Sequence, residues 1–387
     1  MRVMDTMTKK LMSAVCAVAA VAFPPPGEAA SVPPSVISAA VASWSQREAA
    51  EVLDALDTAL GTYVDPEKGE AARAFTRANR ARYLTLEDRV AFAGQLTTEV
   101  GAALGDKHFY IRATGPGAGV AAMVDPAARA AAEAAEAYGI ASVRRLPANI
   151  GYLDLRSFGS TPESASRINA AMDLLQDTGA LIIDLRANRG GGAAVMDALI
   201  GRLASSPIPR SVRLWRREDG GFDRQQPESA AFPIDRLYGR PVYVLTANFT
   251  ISAAEAFAYD LQSAGRVKVV GETTRGGANP MNRPLHDLGH GLFAYVANGR
   301  SENPITGASP NGVGVRPDIP TQPEDALAVA YASALEDLPA AAPDTRLGGE
   351  VEMARADPEA QLRSSFDLTP HQVQGGARRV NEPRAAP

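Results

Sequence analysis

From Ser45 to Leu104 apolar residues recur every three or four positions. Ala49, Val52, Leu53, Leu56 and Leu60 form one run, and Val90, Phe92, Leu96, Val100 and Leu104 form another. That period puts one face of a helix against a core, so the spacing predicts a small helical domain over residues 31–105. From His108 onward the pattern changes to short apolar runs alternating with amphipathic segments. Ile150 to Leu155 reads as a strand, Pro162 to Asp177 as a helix, and Ala180 to Leu185 as a second, fully apolar strand. Alternation of this kind predicts an α/β domain over residues 106–338. Residues 339–387 are rich in Ala, Pro, Arg and Gly without a sustained period, and are expected to form a mobile tail.

The first thirty residues have the order of a signal peptide. Arg2, Lys9 and Lys10 give a basic start, Leu11 to Phe23 an apolar run, and three prolines precede the small residues Gly27, Ala29, Ala30 and Ser31. The apolar run, about 13 residues, is well short of the roughly 20 that span a bilayer, so no membrane span is expected. Export to the periplasm or the medium follows, with processing near Ala29 or Ala30. The one cysteine, Cys16, lies in this leader with Val15 rather than a small residue before it, which argues against a lipid anchor. A mature chain without thiols suits an oxidising compartment.

With 44 acids against 39 bases and no run of Lys or Arg, nucleic acid is excluded as the expected partner. A single cysteine cannot build a thiolate metal cluster, and no metal or organic cofactor is implied. Three segments are candidates for chemistry. Asp184 to Gly192 ends an apolar strand in a turn of three glycines, able to offer bare N–H groups to an anion but serving equally as a tight strand-to-helix turn. After the strand Val242 to Leu245, Ser252 opens a helix, where it is either a cap or a nucleophile with the Ala253 N–H beside it. His108 stands at the seam between the two patterns. The other histidines are worse placed: His371 in the tail, His286 and His290 in a polar loop with no strand to fix them.

Six motifs in order resemble the tail-specific (C-terminal-processing) serine protease superfamily. They are Gly105-Asp-Lys-His108, the Asp184 to Gly191 turn, Ser252 to Gln262, Gly271 to Ala278, Asn303 to Gly307, and Gly312 to Ile319. Position 277, where the Ser–Lys branch carries its lysine, holds Gly277, so the resemblance is to the tricorn-core and interphotoreceptor retinoid-binding-protein-like branch. It implies a crotonase-like α/β domain of mixed sheet and flanking helices. It implies Ser252 as nucleophile, His108 as base, and the N–H groups of Gly190 or Gly191 with Ala253 as the oxyanion hole. Where the family has a glutamate that orients the histidine, this chain has Asn311, with Glu302 or Glu255 as substitutes. Lys107, beside His108, would disfavour the protonated ring if close. Lys268 ranks below His108 as a base because alternation turns it to solvent. The expected partner is a peptide or protein substrate; the alternative is a non-catalytic binder of an apolar ligand or peptide on the same scaffold.

Overall fold

A computed structural model describes residues 44–114, 125–204, 207–227, 236–339, 342 and 344–366. The leader and residues 367–387 lie outside it.

Helix α1 (Gln46–Leu60) starts at a reciprocal cap, in which Glu48 N–H donates to Ser45 Oγ at 3.2 Å and Ser45 N–H to the Glu48 carboxylate at 2.8 Å. Helices α2 (Pro66–Ala78), α3 (Arg80–Tyr83) and α4 (Arg89–Leu104) follow. The predicted apolar face is buried, except Val90, which is 64% exposed. This core is not closed by helices alone. Phe109 and Ile111, at and beside strand β1 (Tyr110–Ala113), complete it with Leu288, Leu292 and Ala294. Helix α4 ends on Gly105, whose left-handed φ of 61° lets the Asp106 N–H reach back to the Gly101 carbonyl at 3.0 Å. That turn aims the next residues, Asp106 to His108, out of the helical layer.

Helix α5 (Pro126–Ala135) leads to strands β2 (Ile140–Leu146) and β3 (Ile150–Leu155), helix α6 (Pro162–Leu175), β4 (Ala180–Asp184), α7 (Ala193–Leu203), β5 (Val212–Arg216), β6 (Phe222–Gln225), β7 (Val242–Thr246), α8 (Ala253–Ser263), β8 (Lys268–Gly271), β9 (His286–Gly289), β10 (Leu292–Tyr295), β11 (Gly299–Glu302) and β12 (Ile319–Pro320). Six strands make one mixed sheet in the order β12-β8-β7-β4-β3-β2, parallel except for β2 against β3. Alternation splits its side chains between two cores. Leu181, Ile183 and Val244 pack under α6, α7 and α8, while Ala180, Ile182, Tyr243 and Leu245 face the opposite layer. The chain is thus a mixed α/β protein with a mixed sheet and flanking helices, as expected.

The tail reading is corrected in part. Helices α9 (Ala326–Asp337), α10 (Arg346–Ala356) and α11 (Pro358–Phe366) form that opposite layer, with Val351, Ala354 and Leu362 buried against it. Apolar residues are sparse in α10 and α11, where a small one also serves in the contact: Ala354 is fully buried. His286 is likewise not in a loop; it opens β9, paired with β10 opposite Ala294. Lys268 does face solvent and pairs with Asp337 at 3.1 Å.

Candidate active site

Strands β4 and β7 are parallel neighbours, so their carboxyl ends place the glycine turn and the Ser252 turn side by side. Ser252 has φ 65° and ψ −126°, a left-handed backbone that costs a non-glycine residue roughly 1–3 kcal/mol. The surroundings hold it there. Its N–H donates to the Gly277 carbonyl at 3.2 Å and to a Glu255 carboxylate oxygen at 3.1 Å. Glu255 is fully buried and also accepts from Thr274 Oγ1 at 2.5 Å, Gly276 N–H at 2.6 Å and Gly277 N–H at 2.8 Å. Burial pushes its carboxyl pKa up, against four donors that pull it down. Glu255 therefore ties the start of α8 to the 274–277 loop and is not an orienter of His108. Glu302, an exposed residue on β11, makes no contact with the histidine either.

The glycine turn meets this serine closely. A Cβ on Gly190 would lie 2.6 Å from Ser252 Cβ, and one on Gly191 would lie 2.0 Å from the Phe158 carbonyl oxygen. Both have positive φ, 85° and 137°. Gly190 cannot serve as an oxyanion donor, because its N–H is already bonded to Asn188 Oδ1 at 2.7 Å. Asn188, buried, fixes the turn by donating in turn to the Leu155 carbonyl at 2.8 Å. The N–H groups of Gly191 and of Ala253, first residue of α8, have no acceptor among the described residues.

His108 Nδ1 lies 2.8 Å from the Asn279 backbone carbonyl. A carbonyl only accepts, so Nδ1 carries the proton and Nε2 is left bare. Burial lowers the His108 pKa, opposed by the Asn279 carbonyl and the charge of Asp106. The ring packs on Tyr295 at 4.3 Å between centroids, and Tyr295 Oη donates to the same carbonyl at 3.1 Å. Asp106 is 2% exposed; it accepts from His108 N–H at 2.8 Å and Tyr63 Oη at 2.9 Å. Lys107 is exposed and is not among the groups that shift His108.

Asn311 does not touch His108. Its Oδ1 accepts from the N–H groups of Ala278 at 3.0 Å and Asn279 at 3.1 Å, so it holds the loop whose carbonyl holds the histidine. It is the last rung of a ladder between two loops, after Val315 N–H to Thr274 Oγ1 at 2.7 Å and Gly312 N–H to the Gly276 carbonyl at 2.8 Å. Sequence reasoning missed Asp106, Asn279 and Tyr295. Asp106 had a signal, two residues before His108 in a motif already noted; Asn279 acts through its backbone and left none.

Ser252, His108, Gly191 and Ala253 line one cavity of about 460 Å³, with Met196, Trp215 and Met281 on its walls. No hydrogen bond joins Ser252 to His108. Among the described residues no cluster of His, Cys, Asp and Glu could hold a metal ion.

A strained serine at a helix start, two open N–H groups and a histidine with its Nε2 unbonded thus meet in one cleft, a set of groups suited to acyl transfer. In agreement, residues 149–321 match Peptidase family S41, a span that takes in Ser252 and the glycine turn and leaves His108 outside. The carboxy-terminal processing protease CtpA of Bacillus subtilis (strain 168) is 30% identical over 151 residues, 38% of this chain and 30% of that protein, so the chain spans under a third of this curated relative. A lipoprotein from Streptococcus agalactiae resembles the structure with 18% identity over 76% of this chain and 96% of that one, at a TM-score of 0.47. The photosystem II D1 C-terminal processing protease does so with 16% identity over 81% and 99%, at 0.45.

Proposed function

We propose that the chain is an exported serine peptidase that hydrolyses peptide bonds of peptide or protein substrates with a Ser–His site of the tricorn-like type. The observation that carries this reading is the shared cavity: Ser252 held at positive φ, the unbonded N–H groups of Gly191 and Ala253, and His108 with Nε2 free. His108 Nε2 takes the Ser252 hydroxyl proton as Oγ attacks the scissile carbonyl carbon. The oxygen that becomes negative faces two N–H donors, that of Gly191 in the glycine turn and that of Ala253 at the positive end of α8. The imidazolium then gives its proton to the leaving amine, and water, activated by the same nitrogen, frees the acyl group from Ser252. Asn311 acts as a positioning residue through the 278–279 loop. The match to a carboxy-terminal processing protease supports cleavage near substrate C-termini.

A fluorophosphonate probe tests the reading. It is expected to label the wild type and not Ser252→Ala, and the alanine variant is expected to lose hydrolysis of an activated ester. An apolar wall of Met196, Trp215 and Met281, together with the missing Ser252–His108 bond, favours the second reading, a non-catalytic binder. An unlabelled wild type that binds an apolar peptide would establish the binder instead. Export is tested by N-terminal sequencing of secreted protein, expected to begin just after Ala29 or Ala30; intact protein starting at Met1 would contradict it.

A further inference from the structure

A second cavity, of about 520 Å³, shares His108 and Tyr295 with the first and is ringed by Lys107, Arg112, Arg189 and Arg275. Among the described residues no carboxylate lines it. None of these four cations forms an ion pair with a described residue, whereas several exposed arginines elsewhere, such as Arg77, Arg82 and Arg217, sit on carboxylates. Four uncompensated charges in one concavity run against a chain whose formal charge is −5. A solvated basic face is the bland alternative, but two of these guanidiniums are also preorganised. Arg189 stacks 4.2 Å over the Phe249 ring and Arg112 lies 5.7 Å over Tyr110, which steadies each plane and leaves its N–H fork free. The four come from three separate segments, before and within β1, the glycine turn, and the 275 loop, so only the fold assembles them.

We propose that this cavity is a carboxylate-binding subsite that receives an acidic segment of the peptide substrate beside the scissile bond. The proposal rests on the peptidase reading, since the cavity matters to cleavage only if Ser252 and His108 are catalytic. Arginine forks bind carboxylates in bidentate fashion, and the site's openness makes the attraction sensitive to salt.

The test uses full-length Ser252→Ala protein and three fluorescein-labelled peptides of one length: a four-glutamate peptide with amidated C-terminus, its four-glutamine counterpart, also amidated, and the glutamine peptide with a free C-terminus. Fluorescence anisotropy is expected to show the glutamate peptide binding about tenfold tighter than the amidated glutamine one. That advantage should shrink at high salt and vanish in a protein that also carries Arg112→Ala and Arg275→Ala, two exposed positions outside the catalytic machinery. If the free C-terminus gains the affinity instead, the bound carboxylate is the substrate's terminal one. Equal binding of all three peptides overturns the proposal. So does an advantage lost on Arg213→Ala, a residue of the first cavity, and kept in the double variant. Wild-type hydrolysis of the same peptides separates the two readings: charge-dependent binding without any Ser252-dependent cleavage refutes the peptidase and leaves the subsite.

Discussion

At His108 two opposing effects meet. Burial favours the neutral ring, which is the form the proposed general base must have, and the Asp106 carboxylate favours the imidazolium that the proposed mechanism forms when Ser252 gives up its proton. Asp106 thereby supplies the charge that Asn311 cannot. The consequence for pH has a definite sign. On the proposed mechanism activity falls as pH drops through the His108 pKa, which burial sets below the ordinary histidine value. Asp106→Asn removes the upward influence, so the acid limb of kcat/KM moves to lower pH while kcat drops by about tenfold, as a loss of about 1.4 kcal/mol of transition-state stabilisation would give. A pH–rate profile of the variant checks this; an acid limb that stays in place would make Asp106 a structural residue only. Asn311→Ala should lower kcat without moving the limb, because it removes two bonds to the 278–279 loop and no charge.

The glycine turn is the element on which the site depends most. Its proposed donor, the Gly191 N–H, is held where Gly191 packs against the Phe158 carbonyl with no room for a side chain and adopts φ 137°. Gly191→Ala is therefore expected to displace the N–H and reduce turnover by ~10²–10³, the usual cost of one oxyanion donor, with far less change in KM. Steady-state kinetics on an activated ester decide it, and an unchanged kcat would show that the oxyanion lies elsewhere. The strands and helices around this turn were legible in the sequence. Ile150–Leu155 is a strand as expected, and Val242–Thr246 leads into a helix that begins just after Ser252. Apolar period reports burial, and burial is what builds these elements. The bonding of single N–H groups leaves no such mark. That Asn188 uses up Gly190, and that the Asn279 carbonyl rather than a side chain orients His108, depends on loops brought together by the sheet. His286 was misplaced for a related reason: the run His286-Asp-Leu-Gly289 has one apolar residue, and pairing with β10 makes it a strand.

The described residues form three cores, one on each face of the six-stranded sheet and one between α1, α2, α4 and the β1-β10-β9 sheet. The second face, away from α8, is closed by residues whose composition looked unstructured. Val351, Ala354 and Leu362 cover Ala330, Tyr331 and Leu335; the Arg145–Glu350 pair at 3.2 Å and the Arg144 bond to the Ser365 carbonyl at 3.1 Å fasten α10 and α11 to β2. Fully burying a valine or leucine side chain contributes about 1.5–3 kcal/mol, and removing the two helices also exposes the apolar surface beneath them. A chain ending at Asp344 is therefore expected to lose roughly 4 kcal/mol and to melt about 8–16 °C lower, at about 2–4 °C per kcal/mol. The exposed pair at Arg145 adds little to that figure. The comparison that isolates the helices is with a chain ending at Phe366, which lacks only the residues beyond α11. Because the active-site turns lie under α7 and α8 on the other face, the shorter chain should keep its kcat at temperatures where it is still folded. Equal melting temperatures for the two truncated chains would show that α10 and α11 rest on the sheet without stabilising it.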